Sequence, residues 1–183
     1  ANHWAIAAVN DMGSRLIVSG VGGNRFRPDQ DITRAEFAAI MVRGLGIEQG
    51  KDDASFTDVT AASWYSGAVQ TAYGHDLISG FEDGSFRPDD KITREQAMVI
   101  IAKAMELTGL AESVSSADPE QLLKPFIDTE DVSEWARSGV TAGLQAGIVT
   151  GRDGGLLAPQ AFISKAEAAV IVRRLLQKSE LID

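Results

Sequence analysis

Three cations hold corresponding places in this chain, each directly after a residue suited to cap a helix. Arg34 follows Thr33, Arg94 follows Thr93 and Lys165 follows Ser164. Three residues past each cap stand Glu36, Gln96 and Glu167. This is the S/T-x-x-E/Q capping box, written three times. The cation therefore falls on the first helical residue, where the partial positive charge of the N-terminus disfavours it by about 0.3–1 kcal/mol. Acidic residues suit that place better. A cation kept there in three otherwise diverged copies points to an anionic partner. The N–H groups of a first helical turn can hold a carboxylate or phosphate, and an arginine beside them adds charge-assisted, bidentate hydrogen bonds. The competing reading is an ion pair with a neighbouring acid such as Asp29, Asp89 or Asp90. For one copy that reading is the simpler; with three in register, the anion site is the expectation.

The cations belong to a longer internal repeat. Leu16-Ile17-Val18-Ser19-Gly20, Phe26-Arg27-Pro28-Asp29 and Ile32-Thr33-Arg34-Ala35-Glu36 recur 60 residues later, from Asp76-Leu77-Ile78-Ser79-Gly80 through Phe86-Arg87-Pro88-Asp89 to Ile92-Thr93-Arg94-Glu95-Gln96. A third copy follows 71 residues further on, with Gly147-Ile148-Val149-Thr150-Gly151, Leu157-Ala158-Pro159-Gln160 and Ile163-Ser164-Lys165-Ala166-Glu167. Trp4, Trp64 and Trp135 keep the same offsets. Such self-similarity marks a repeat architecture. The repeats are assigned to residues 1–50, 51–107 and 125–183, with 108–124 as a surface insertion whose Leu122, Leu123 and Phe126 return the chain to the body. Phe56-Thr57-Asp58 and Phe126-Ile127-Asp128 open the second and third copies. No such opening precedes Trp4, so the first repeat is expected to lack its leading residues, with an upstream segment supplying them. Ala1-Asn2-His3-Trp4 does not resemble a signal peptide.

The elements that must position the cations follow from spacing. Trp64, Ala68 and Ala72 fall on one helical stripe, as do Trp135, Gly139 and Gly143, so a first helix starts near each tryptophan. Small residues on that stripe permit close helix packing. A loop rich in glycine and ended by proline comes next. The capped helix then carries Phe37, Ile40, Met41 and Leu45 in copy one, and Gly44 or Gly46 helps end it. Ala97, Ile100, Ile101, Ala104 and Met105 are its counterparts in copy two, and Ala168, Ile171, Val172 and Leu175 in copy three. Ile32, Ile92 and Ile163 stand where a hydrophobic staple belongs. Two helices alone cannot hide both apolar stripes. The expected fold is all-α: three helix-loop-helix repeats closing around a shared axis as one compact, pseudo-threefold unit.

Other residues invite a role. Trp4, Trp64 and Trp135 could stack on a sugar, although core packing is the expected use. Arg27 and Arg87 could line a groove or be ordinary surface charge. Ser19-Gly20, Ser79-Gly80 and Thr150-Gly151 could present hydroxyls or N–H groups to a ligand, or simply form turns. Glu95 could pair with Arg94 or repel an anion.

Composition removes several classes. A net charge of −9 and a pI of about 4.7 are opposite in sign to a nucleic-acid binder. They also disfavour adhesion to anionic membranes, and no apolar run is long enough to span one. An acidic partner must be held by local cations. There are no cysteines, hence no disulfide framework or thiolate metal site. The aspartates around Asp83 and Asp89 lack the ligand spacing of a calcium loop. His3 and His75 do not recur. No Ser-His-Asp set, HExxH, P-loop or GxGxxG occurs, and no carboxylate pair stands out for glycoside hydrolysis. No catalytic, metal or cofactor site is expected.

The string Gly80-Phe81-Glu82-Asp83-Gly84-Ser85-Phe86-Arg87-Pro88-Asp89-Asp90-Lys91-Ile92-Thr93-Arg94-Glu95-Gln96, together with Ile32-Thr33-Arg34-Ala35-Glu36 and His3-Trp4-Ala5, closely resembles the S-layer homology (SLH) family. The resemblance covers nearly the whole chain in three copies. It implies a pseudo-threefold helical prism with grooves between repeats. It also implies a non-catalytic, extracellular module of a larger exported protein in a Gram-positive bacterium. Such modules bind secondary cell-wall polysaccharide, often with a pyruvyl ketal on N-acetylmannosamine. The family's key cation maps to Arg34, Arg94 and Lys165, and a pyruvyl ketal is a carboxylate. Copy one carries the full Thr-Arg-Ala-Glu motif. Copy two has Glu95 beside its arginine. Copy three has a lysine, which lacks the planar fork of arginine, and replaces Phe-Arg-Pro by Leu157-Ala158-Pro159. The expected ranking of sites follows that order. The alternative function is self-association in a surface layer without glycan binding.

Overall fold

A computed structural model describes residues 3–18, 27–50, 56–114 and 118–183. The described residues are helical, with isolated β-bridges in place of a sheet. The helices are α1 (Ile6–Ser14), α2 (Arg34–Gly44), α3 (Ser66–Gly74), α4 (Arg94–Leu107), α5 (Leu110–Ser113), α6 (Pro119–Leu123), α7 (Arg137–Gln145) and α8 (Lys165–Lys178). Short 3-10 turns cover Thr129–Asp131 and Glu134–Ala136. Among the described residues no helix is long and apolar enough to cross a membrane.

All three capping boxes form. The Thr33 and Thr93 hydroxyls accept from the N–H of Glu36 and Gln96, whose side chains accept in return from the cap N–H. Ser164 and Glu167 do the same. The isoleucines before the caps, Ile32, Ile92 and Ile163, are buried along with Phe37, Ala97 and Ala168, as a staple requires. Helix α2 ends at Gly44, and Gly46 takes a φ of 65° just beyond it.

The chain forms two compact units, Ala1–Ile92 with Ser164–Arg173 and Thr93–Ile163 with Arg174–Asp183. In the first, α2 packs on α3 around Phe37, Met41, Val69 and Leu77, all fully buried. Asp11 of α1 accepts from Arg15 at 2.8 Å and from Arg173 of α8 at 2.6 Å, and both contacts hold its carboxyl below the usual range. In the second unit, α4 packs on α7. A Cβ on Gly139 would stand 2.9 Å from the Val99 Cα, so the absent side chain lets the two backbones meet. Within the expected insertion lie α5 and α6, and α6 packs on α7. Leu123 is buried and Leu122 half-buried.

One expectation fails here. The first helices begin at Ser66 and Arg137, two residues after the tryptophans, so helical spacing does not carry Trp64 or Trp135 into the core. Trp4, Trp64 and Trp135 are 66%, 63% and 58% exposed. Ala68, Ala72, Gly139 and Gly143 of the same stripes are buried.

Candidate functional site

Each capped helix starts against the loop of a different repeat. In the first unit, the Arg34 and Ala35 N–H groups donate to the carbonyls of Asp90 and Pro88, at 2.9 and 3.0 Å. The Lys165 and Ala166 N–H groups donate to Gln30 and Pro28, at 2.8 and 2.9 Å. In the second unit, Arg94 and Glu95 donate to Ala161 and Pro159, at 2.9 and 3.0 Å. The next N–H in each helix goes to the cap hydroxyl. This overturns the expectation that the first-turn N–H groups face an anion. Uncharged backbone acceptors already occupy them, so an anion at these helix starts cannot rely on the first-turn N–H groups.

The two arginines are anchored by the same kind of acceptor. Arg34 Nε donates to the Phe86 carbonyl at 2.9 Å and Nη2 to that of Ser79 at 3.3 Å. Arg94 Nε donates to Leu157 at 2.8 Å and Nη2 to Thr150 at 3.1 Å. Arg34 is 9% exposed and Arg94 3%. The Arg34 guanidinium also lies 4.8 and 4.7 Å from the ring centroids of Phe81 and Phe86, a cation–π setting. Burial pulls its pKa below the ordinary arginine value, while Asp90 acts the other way. No ion pair to Arg34 forms among the described residues, and its Nη1 hydrogens have no partner there.

Lys165 behaves differently. Its ammonium lies 3.0 Å from Glu36 Oε1. The competing reading, an ion pair, thus applies to this copy, with the capping-box glutamate as partner and not Asp29, Asp89 or Asp90.

Glu95 is 2% exposed. It accepts from the Ser133 N–H and hydroxyl at 2.9 and 2.8 Å and from Gln160 Nε2 at 2.8 Å. It thus anchors Ser133, the residue just before the 3-10 turn that carries Trp135.

Two carboxylates that the sequence reading used only as repeat markers hold these loops. Asp58 accepts from the N–H groups of Phe86 and Arg87, both at 2.8 Å. Asp128 accepts from Leu157 at 2.8 Å and Ala158 at 2.7 Å. The Phe86 peptide is therefore gripped by Asp58 at its N–H and by Arg34 at its carbonyl. Leu157 is gripped likewise by Asp128 and Arg94. Arg87 and Ala158 carry positive φ, 57° and 49°, which lets consecutive N–H groups converge on one carboxylate.

The remaining candidates divide. Ser79 and Thr150 supply the carbonyls that hold the arginines, and the Thr150 hydroxyl also accepts from Arg174 at 3.5 Å. Gly80 and Gly151 allow the rings of Phe56 and Phe126 to pack against the chain. Thr33, Thr93 and Ser164 are engaged as caps. Exposed Arg87 stacks 3.9 Å from the Phe81 centroid and pairs with Asp83 at 3.1 Å. Asp83 is brought down to about 2 by the Ser85 hydroxyl and N–H and by Arg87. Arg27 is exposed. Ser19 and Gly20 lie outside the described residues. His3 Nε2 meets Asp29 at 3.1 Å.

The repeat sequence that builds this arrangement has known relatives. The profile of the S-layer homology domain matches residues 1–38, 55–98 and 125–169, most of the chain. An amylopullulanase of Thermoanaerobacterium thermosulfurigenes is 36% identical over 180 residues, 97% of this chain and 9% of the relative. A cellulosome-anchoring protein of Acetivibrio thermocellus is 30% identical over 168 residues, 90% of this chain and 36% of its own length. A surface layer protein of Brevibacillus choshinensis is 38% identical over 111 residues, 58% of this chain and 10% of its own. The chain thus spans about a tenth to a third of these relatives. With a profile match in each of the three repeats, the chain belongs to the S-layer homology domain family.

Proposed function

We propose that this chain is a non-catalytic module that anchors a larger exported protein to the bacterial cell wall by binding an anionic secondary wall polysaccharide. It works at the cell surface. The similarity to an amylopullulanase, an anchoring protein and a surface layer protein supports anchoring as the shared part, since the enzyme relative is matched over only 9% of its length. The anion is a sugar carboxylate, of which a pyruvyl ketal on N-acetylmannosamine is the form the family suggests.

The observation that carries this reading is the state of Arg34. Arg34 is buried as a residue, and a charge withdrawn from water is costly without a partner. Two carbonyls fix its orientation but leave its full charge in place. An arriving carboxylate would find a preoriented fork. Arg94 is anchored by the same two acceptor positions in the next repeat. Exposed Trp4, Trp64 and Trp135 offer apolar faces to the sugar rings. Arg34 ranks first and Arg94 second, and Lys165, whose ammonium is already paired with Glu36, is left out of the grip.

Sedimentation with cell-wall sacculi tests the proposal. The chain should pellet with intact sacculi and stay in solution once the secondary polymer is stripped by acid. Retention on stripped sacculi would assign it to peptidoglycan instead.

A further inference from the structure

Glu36 has two tasks at once. Its Oε2 accepts from the Thr33 N–H at 3.0 Å and completes the capping box. Its Oε1 takes the Lys165 ammonium at 3.0 Å. Capping does not need the charge, because Gln96 completes the equivalent box on Thr93 through its amide oxygen at 3.2 Å. What the carboxylate adds over an amide is a counter-ion for Lys165, which is only 8% exposed. We propose that Glu36 is a built-in surrogate for the glycan carboxylate: it occupies Lys165 and closes the third cation to the wall polymer. This rests on the glycan-binding reading and refines it. One acid in the first repeat decides whether the cation of the third is available.

The physical argument is competition at one ammonium. Glu36 is tethered beside Lys165, and its effective concentration there far exceeds that of a polymer carboxylate in solution. A lysine also lacks the fork that would let it serve two carboxylates bidentately. Removing the charge while keeping the cap leaves a mostly buried cation in want of an anion.

The test uses the full chain with 13C-methyl-labelled lysine amines for NMR and calorimetry with wall polysaccharide released from sacculi. In the native chain the Lys165 signal should not move on titration, and Lys165→Met should bind with unchanged affinity, while Arg34→Ala loses at least about tenfold. In Glu36→Gln the Lys165 signal should move with added polysaccharide and the binding stoichiometry should rise. Helix content by circular dichroism checks that the variant is folded, as Gln96 leads one to expect. A Lys165 signal that shifts in the native chain, or affinity lost in Lys165→Met, overturns the proposal. So does a folded Glu36→Gln whose Lys165 ignores the polysaccharide while Arg34 still governs binding, an outcome that leaves the glycan reading standing. If Arg34→Ala binds as well as the native chain, the glycan reading itself falls, and this refinement with it.

Discussion

Truncating Asp128 should destabilise the fold more than its half-buried position suggests. Its two oxygens accept from Leu157 and Ala158 at 2.8 and 2.7 Å, and Leu157 is fully buried. Hydrogen bonds to a charged group contribute about 1.5–3 kcal/mol each. The lower end applies because Asp128 and Ala158 are half-buried, so water can replace part of what is lost. Two such bonds give about 3 kcal/mol for Asp128→Ala. That is a large share of the roughly 5–15 kcal/mol a domain possesses. With a urea slope of about 2 kcal/mol/M, the midpoint should drop by about 1.5 M. Asp128→Asn separates charge and geometry from bulk. Its amide keeps one acceptor but turns an NH2 group toward the second N–H, donor against donor. It should therefore cost nearly as much as alanine. Asp153→Ala, at an exposed turn, is the control and should stay within about 0.5 kcal/mol. Urea melts followed by circular dichroism decide the matter. A loss under about 1 kcal/mol for Asp128→Ala, or near-native stability for Asp128→Asn, would refute the clamp.

Three further outcomes follow from the same contacts. Gly139→Ala places a Cβ 2.9 Å from the Val99 Cα, forcing α4 and α7 apart, and should cost about 1–3 kcal/mol in chemical denaturation. Trp64→Ala removes a 63% exposed side chain, so stability should change by less than about 0.5 kcal/mol while retention on sacculi declines; a large loss of stability would return the tryptophan to the core. Asp11 has a folded pKa lowered by hydrogen bonds from Arg15 and Arg173. Its contribution is present above the unfolded value of 3.8 and lost as pH falls through the folded one. For these partly exposed pairs the contribution is at most about 1 kcal/mol. The stability difference between the native chain and Asp11→Asn should thus be visible at pH 7 and vanish in acid, and a difference that grows in acid would contradict the assignment.

The parts of the site that were legible in sequence are those with local causes. A capping box needs only four consecutive residues, and all three formed. The fate of the first-turn N–H groups was not legible, because their acceptors are backbone carbonyls of Pro28, Pro88 and Pro159 and their neighbours, which carry no side-chain signature. Trp64 and Trp135 escape the i, i+4 pattern because each helix starts two residues after its tryptophan. The carboxylate clamps had a signal that the repeat offset blurs. Asp58 to Asp128 is 70 residues, whereas Trp64 to Trp135 is 71. The additional residue sits between Asp128 and Trp135, where the 3-10 turns lie. The acid of copy two looked like an obstacle to anion binding for a related reason. Its partners Ser133 and Gln160 are distant in sequence, 38 and 65 residues away.

Calorimetry of the native chain, Arg34→Lys and Arg34→Ala against purified wall polysaccharide probes the origin of the grip most directly. A preoriented planar fork predicts at least about a tenfold loss for alanine and an incomplete rescue by lysine, whose compact ammonium has three donors but not the planar spread that meets two carbonyls and a carboxylate at once. Native affinity in Arg34→Ala would contradict the account.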